Sequence, residues 1–228
     1  SIIYKVVNWC INIKIRKGDN VAIIGETGSG KTSLAKLFME FYSPDKGHIY
    51  VDGAELQNFE VQEIRKAVVY VSQEDFLFTA SVRENLKMGN EEISDEEMIE
   101  ISRKMGVHQF VSKMEREYDS VLEERGKNLS KGQRQKLSLT RAILRHPKIL
   151  ILDEATSNMD SISEREILNY IKGIRDITLI LISHRINVIA DSDCIYVLQK
   201  GNIVARGTDE QLKEQCELYR QLYGEEEK

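Results

Sequence analysis

The sequence predicts an α/β fold: a mostly parallel sheet with flanking helices, a small antiparallel β part and an inserted helical subdomain. Three observations carry this expectation. Strand-length apolar runs recur at Val21–Ile24, Ile149–Leu152 and Thr178–Ile182, as in strands covered on both faces. Residues at helical spacing follow such runs. Between about Phe76 and Arg145 the strand-like texture gives way to a helical stretch.

Along the chain, Ile11, Ile13 and Ile15 alternate with polar residues, as on a half-exposed strand. Gly18-Asp19 marks a turn before Val21–Ile24. Leu34, Leu37, Phe38 and Phe41 then share one helical face, and Pro44 ends that helix. Gly47–Gly53 reads as a short extended segment of the antiparallel part, and Ala67–Val71 as a further strand. Ser94 with Glu97 forms an S-x-x-E capping box ahead of Met98, Ile101 and Met105. A helix is expected over Ser161 to Gly173. Lys200-Gly201 joins Cys194–Leu198 to Asn202–Ala205 as a hairpin. Thr208 with Gln211 caps a final amphipathic helix, and Glu225–Glu227 form a frayed tail. The expected organisation is one domain over 1–228, with 1–75 and 146–228 forming a core and 76–145 a helical subdomain.

Composition narrows the function classes. A net charge of −5 and a pI of about 5.6 argue against a nucleic-acid-binding surface spread over the whole protein, though a local basic groove stays open. Cys10, Cys194 and Cys216 have no metal-type spacing, which fits a reducing compartment. No apolar stretch reaches the roughly 20 residues that cross a bilayer, so any membrane role is expected to come through a partner or a part outside this chain. The opening Ser1 suggests a piece of a longer polypeptide.

Gly25-Glu26-Thr27-Gly28-Ser29-Gly30-Lys31-Thr32 satisfies G-x-x-x-x-G-K-[ST]. In that pattern the glycines let the backbone turn its N–H groups onto phosphate oxygens. The following helix presents the positive end of its dipole to the same anion. Lys31 is positioned to neutralise β- and γ-phosphates and the Thr32 hydroxyl to meet Mg²⁺. The candidate nucleotide contacts are Gly25, Thr27, Gly28, Ser29, Gly30, Lys31, Thr32 and Ser33, and the loop alone does not separate a kinase, a GTPase and a transport ATPase. A buried strand before the loop and a helix after it supply the required context.

Asp153 and Glu154 end the second apolar run. Asp153 is the candidate for holding Mg²⁺ through water, and Glu154 for general base or water-orienting group. His184 follows the third run, where it reads either as a surface polar group or as a residue that locks Glu154 and the γ-phosphate.

Five further segments fall into the order of the ABC transporter nucleotide-binding domain, which the chain resembles from Ile11 onward. Gln73 resembles the Q-loop glutamine that touches Mg²⁺ and senses the membrane domain. Leu129-Ser130-Lys131-Gly132-Gln133 resembles the LSGGQ signature, with Lys131 where glycine is usual. Ala155–Asp160 looks like the D-loop. Asp153-Glu154 and His184 match Walker B and the switch histidine. Ser130 and Gln133 also form an S-x-x-Q capping box, and a capped helix start is itself an anion site. The resemblance implies a P-loop NTPase (RecA-like) fold, ATP and Mg²⁺ as ligands, and two copies enclosing two ATP head to tail. In that arrangement Ser130, Gly132 and Gln133 meet the γ-phosphate bound by the other copy. Glu124-Arg125-Gly126 and Phe76–Leu86 resemble exporter segments; Phe76 and Phe78 read either as core or as a seat for a coupling helix. Adenine stacking falls to Tyr4, with Trp9 as second candidate.

The resemblance further implies an ATPase driving export, with a transmembrane domain fused upstream, at the cytoplasmic face of the cell membrane and of the bacterial inner membrane in particular. The D-loop wording and lysine-rich style are similar to bacterial peptide or bacteriocin exporters. Two other classes stand beside this one: an ATP-gated interaction module without hydrolysis, which Glu154 and His184 disfavour, and a soluble ATPase acting on ribosomes or DNA.

Overall fold

The computed structural model describes residues 2–6, 11–39, 44, 46–73 and 76–226. In chain order they form β1 (Ile2–Val6), β2 (Ile11–Ile15), β3 (Asn20–Ile24), α1 (Lys31–Phe38), β4 (His48–Val51), β5 (Ala54–Glu55), α2 (Val61–Ala67), β6 (Val68–Ser72), α3 (Val82–Lys87), α4 (Asp95–Lys104) and α5 (His108–Val111). Next come α6 (Lys131–Leu144), β7 (Ile149–Asp153), α7 (Ser161–Lys172), β8 (Thr178–Ile182), α8 (Ile186–Ile189), β9 (Cys194–Gln199), β10 (Asn202–Gly207), α9 (Asp209–Gln215) and α10 (Glu217–Glu226). They divide into two compact units, one of residues 1–68, 148–154 and 176–228, the other of residues 69–147 and 155–175.

In the first unit, β9, β3, β8 and β7 lie side by side and parallel, and β10 closes one edge antiparallel to β9. Every residue of β7 and β8 is buried, as is Val21–Ile24 of β3, which explains why these strands read as unbroken apolar runs. A parallel sheet needs cover on both faces, and alternation is lost. The antiparallel part has the order β2-β1-β4-β5, and β2 alternates buried and exposed along its length. Lys200 (φ 47°) and Gly201 (φ 78°) are both left-handed, the backbone a two-residue hairpin turn demands.

The second unit holds β6 and α3 to α7. Ser130 caps α6, and α3 and α4 are joined by a surface ion-pair network. There Arg83 bonds Asp95 and, at 2.8 Å, Asp119, while Lys87 meets Asp95 at 2.8 Å.

Three local expectations change. The helix after the glycine-rich loop stops at Phe38, well before Pro44; Phe41 lies outside the described residues. The terminal helix is two helices, because Cys216 is extended (φ −122°, ψ 109°). The cap of α4 runs one way, with Ser94 Oγ accepting from Glu97 N–H at 3.1 Å. Strand β1 and helix α2 were not legible as elements. The start of α2 has no Ser, Thr, Asp or Asn; Glu60 takes that place, its N–H donating to the Glu63 carboxylate at 3.2 Å.

Candidate active site

Gly25 follows β3, and the loop it opens delivers the chain into α1 at Lys31. The route is tight. A Cβ on Gly25 would lie 2.1 Å from the Leu198 carbonyl oxygen and 2.8 Å from Ser29 Oγ, so no other residue fits without moving β9. Gly25→Ala is expected to cost about 3 kcal/mol, read as a shift in the urea midpoint at unchanged m-value. Gly30, the N-cap of α1, sits at φ 104°, again a conformation that side chains resist. Thr27 and Gly28 are exposed at the loop tip, and Thr32 and Ser33 are exposed in the first turn of α1. That turn carries no acid, which leaves its N–H groups and dipole free for an anion.

Lys31 reaches back over the loop, donating to the Gly25 carbonyl at 2.6 Å and the Glu26 carbonyl at 3.0 Å. Burial holds its pKa below the usual lysine value, while the charges of Glu154 and Asp153 oppose that shift. The ammonium therefore sits in the field of both carboxylates, and one electrostatic neighbourhood contains the loop and the end of β7. Ser29 Oγ is buried and has no hydrogen-bond partner among the described residues.

The carboxylates and the histidine are brought together by strand register. Asp153 pairs with Ile182 across β7 and β8. One residue past Asp153, the Glu154 N–H donates to the Ile182 carbonyl at 2.9 Å. Two residues past Ile182, His184 Nδ1 lies 2.8 Å from the Glu154 carboxylate. Asp153 is buried. Glu154 adopts φ 55°, a left-handed conformation costing a non-glycine residue roughly 1–2 kcal/mol. Such strain is characteristic of functional positions, and here it turns the Glu154 side chain off the strand toward His184.

Among the described residues no group of three His, Cys, Asp or Glu side chains could hold a metal. The first unit offers instead a hydroxyl, Thr32, and a buried carboxylate, Asp153. These hard oxygen donors suit Mg²⁺, which completes its shell with phosphate oxygens and water.

The second unit carries Gln73, Ser130, Gly132 and Gln133. Ser130 Oγ accepts from Gln133 N–H at 3.2 Å, and Gln133 Oε1 accepts from Ser130 N–H at 2.9 Å; the capping box is complete. The signature is also tied to the D-loop. Gln135, fully buried, accepts from the Asn158 N–H at 2.9 Å and donates to Ser157 Oγ at 3.5 Å. A Cβ on Gly132 would come within 3.0 Å of the Asn158 carbonyl. Sequence reading placed Asn158 in the D-loop-like segment but missed Gln135 and their bond, because the two lie in segments distant in sequence. Gln73 follows β6 and is exposed.

Phe76 and Phe78 are 53% and 40% exposed, packed edge to face with ring centroids 4.8 Å apart. The reading of these residues as core does not hold. Asn85, buried, pins their loop: its Oδ1 accepts from Phe78 N–H at 2.9 Å, and its Nδ2 donates to the carbonyls of Phe78 and Ser81 at 3.0 Å. Asn85→Ala strands these groups and is expected to cost about 2–3 kcal/mol, measured by denaturant unfolding. Tyr4 stands on β1, opposite Ile13 on one side and Ile49 on the other; Trp9 lies outside the described residues.

Comparison with known proteins bears on the family and the fold. The sequence profile described as "ABC transporter" matches residues 10–157. The chain is 42% identical over 206 residues to the heterocyst differentiation ATP-binding protein HepA of Nostoc sp., covering 90% of this chain and 34% of that protein. It is 38% identical over 209 residues to the mitochondrial iron-sulfur clusters transporter ABCB7 of Oryzias latipes, covering 91% and 28%. A solved structure of a bacterial Atm1-family ABC exporter with ATP bound superposes with a TM-score of 0.94 at 29% identity, covering 99% of this chain and 42% of that one. The chain thus spans about a third or less of the length of these two relatives.

Proposed function

The chain belongs to the ABC transporter family, as one of its ATP-binding, ATP-hydrolysing domains, and from that premise we propose that it powers export of a substrate across a membrane as one half of a two-copy nucleotide sandwich. The observation that supports the catalytic assignment best is the Glu154–His184 pair at the ends of β7 and β8, next to a lysine whose field both carboxylates share.

In this reading the backbone of Gly25–Gly30 and the Lys31 ammonium bind the triphosphate. Thr32 and Asp153 hold Mg²⁺, which supplies charge neutralisation on the phosphates. Glu154 orients the attacking water and takes its proton, with His184 fixing the carboxylate from 2.8 Å. Ser130, Gly132 and Gln133 of a second copy close the site from the other side, offering a capped helix start to the γ-phosphate. Tyr4 is assigned to adenine and Gln73 to sensing the membrane part. The chemistry is mostly positioning and electrostatics, so reopening after hydrolysis becomes the mechanical step.

The exposed Phe76–Phe78 pair supports docking of a membrane-spanning partner, since no helix among the described residues is long and apolar enough to cross a bilayer itself. We assign that partner to the same polypeptide, upstream, with this domain at the cytoplasmic face of the membrane, the inner membrane of a bacterium in particular. The full-length gene product decides the matter. Reconstituted in vesicles, it is expected to show ATPase activity that changes on adding transported substrate, and Phe76→Ala with Phe78→Ala to lose that response at near-normal basal turnover. An unaltered response in the double variant would remove the aromatic pair from coupling.

A further inference from the structure

The first unit contains a hollow of about 490 Å³ at the end of the parallel sheet away from the glycine-rich loop, and its size is that of a small-ligand pocket. Its floor is apolar: Ile15 at the end of β2, Leu56, Ile64 on α2, Val68 and Ile149 line it, and all are buried. The hydroxyl beside them, Thr178 Oγ1, already accepts from the Gly18 N–H at 3.0 Å. Ile149 and Thr178 open β7 and β8, so the five-residue strand β7 separates the hollow from Glu154 by about 13 Å or more. Six exposed charged side chains ring the mouth. The three acids have roles already. Asp176 pairs with Lys17 at 2.7 Å and feels the charge of Lys148 without bonding it. Glu63 accepts from the Glu60 N–H at the start of α2, and Asp52 adds its field to Lys17. Arg16 and Lys148 differ. Their backbone N–H groups donate to Asp19 and to the Ala67 carbonyl, each at 2.8 Å, while their charged ends make no hydrogen bond or ion pair with any described residue.

We propose that this hollow binds an anionic amphiphile, an apolar chain ending in a carboxylate, with Arg16 and Lys148 holding the head group above the apolar floor. The floor removes an alkyl chain from water, and the two uncommitted cations supply the charge that a carboxylate needs, the guanidinium in a two-pronged geometry that matches it. An acidic protein segment is the competing occupant. It is disfavoured because a peptide entering the hollow brings backbone N–H and C=O groups that must find partners, whereas the floor is built of hydrocarbon and a hydroxyl already in use. The site is independent of the nucleotide. It lies at the opposite ends of the strands that carry Asp153 and His184, so ATP and the amphiphile occupy the chain together.

Decanoate titrated calorimetrically into the chain tests the site. One saturable event is expected, tighter than that of octanoate by about twofold to fourfold per methylene and unchanged by saturating Mg²⁺ and ATP. Arg16→Gln with Lys148→Gln is expected to weaken decanoate about tenfold or more, whereas Arg16→Lys with Lys148→Arg retains it. Decyltrimethylammonium, with the same chain and the opposite charge, is expected to bind more weakly than decanoate. Both substituted positions are exposed, so the fold is expected to survive, and circular dichroism checks this. Absence of saturable binding, an unchanged Kd in the glutamine variant, equal affinity for octanoate and decanoate, equal affinity for the cationic amphiphile, displacement by ATP, or binding of hexaglutamate in place of decanoate each overturns the proposal. None of these results bears on whether two copies enclose ATP, which the dimer of the Glu154→Gln chain reports separately.

Discussion

Glu154→Gln leaves ATP bound, lowers turnover about a hundredfold or more and converts the chain into an ATP-dependent dimer. The amide keeps the size of the carboxylate and one oxygen, so the 2.8 Å contact with His184 can persist in a weaker form. What is lost is the negative charge that takes a proton from water. The left-handed backbone at residue 154 stays, since its N–H remains bonded to the Ile182 carbonyl. The site is built but cannot fire, and nucleotide that would have left after hydrolysis holds two copies together. Steady-state phosphate release and sedimentation velocity with Mg²⁺ and ATP check both halves. Parental turnover in this variant would take Glu154 out of the chemistry.

Lys31→Ala acts at an earlier step. The ammonium is half-buried and, among the described residues, bonded to two carbonyls of its own loop, contacts that keep it poised over the space the phosphates enter. A hydrogen bond to a charged group is worth about 1.5–3 kcal/mol, so ATP affinity should fall roughly tenfold to a hundredfold, with turnover falling in step. Removing the cation also takes away a positive charge whose field Asp153 and Glu154 share, which adds to the repulsion felt by a triphosphate. Isothermal titration with ATP reads the effect, and a Kd equal to the parent's would remove Lys31 from phosphate binding.

Much of this site was legible in the sequence because its chemistry is written in short contiguous segments. The loop Gly25–Thr32, the pair Asp153-Glu154 and the box Ser130-x-x-Gln133 each act through local backbone, and a spacing rule suffices to find them. The strands beneath them were legible for a related reason: burial on both faces leaves an apolar run that polar substitution cannot interrupt. The pairing of Glu154 with His184 stood in the sequence only as one of two readings of a strand-end histidine, since register between β7 and β8 is a tertiary fact. Gln135 and Asn85 went unread because a buried amide announces itself only through partners it finds in space. Helix α2 escaped because a glutamate stands where a better capping residue is usual. The split at Cys216 has no proline or glycine to mark it.

The central claim is that nucleotide is gripped between the phosphate loop of one copy and the signature helix of another, and complementation tests it most directly. In a Glu154→Gln background, one chain carries Lys31→Ala and the other Gly132→Asp, which sets a carboxylate at the anion end of α6 and crowds the Asn158 carbonyl. Neither chain can form a sound site with itself. Mixed, they restore one, from the intact loop of the second and the intact signature of the first. The account predicts a heterodimer by sedimentation velocity that appears only with both chains and ATP and retains one nucleotide. A mixture that stays monomeric, or a Gly132→Asp chain that dimerises alone as readily as its parent, would contradict it.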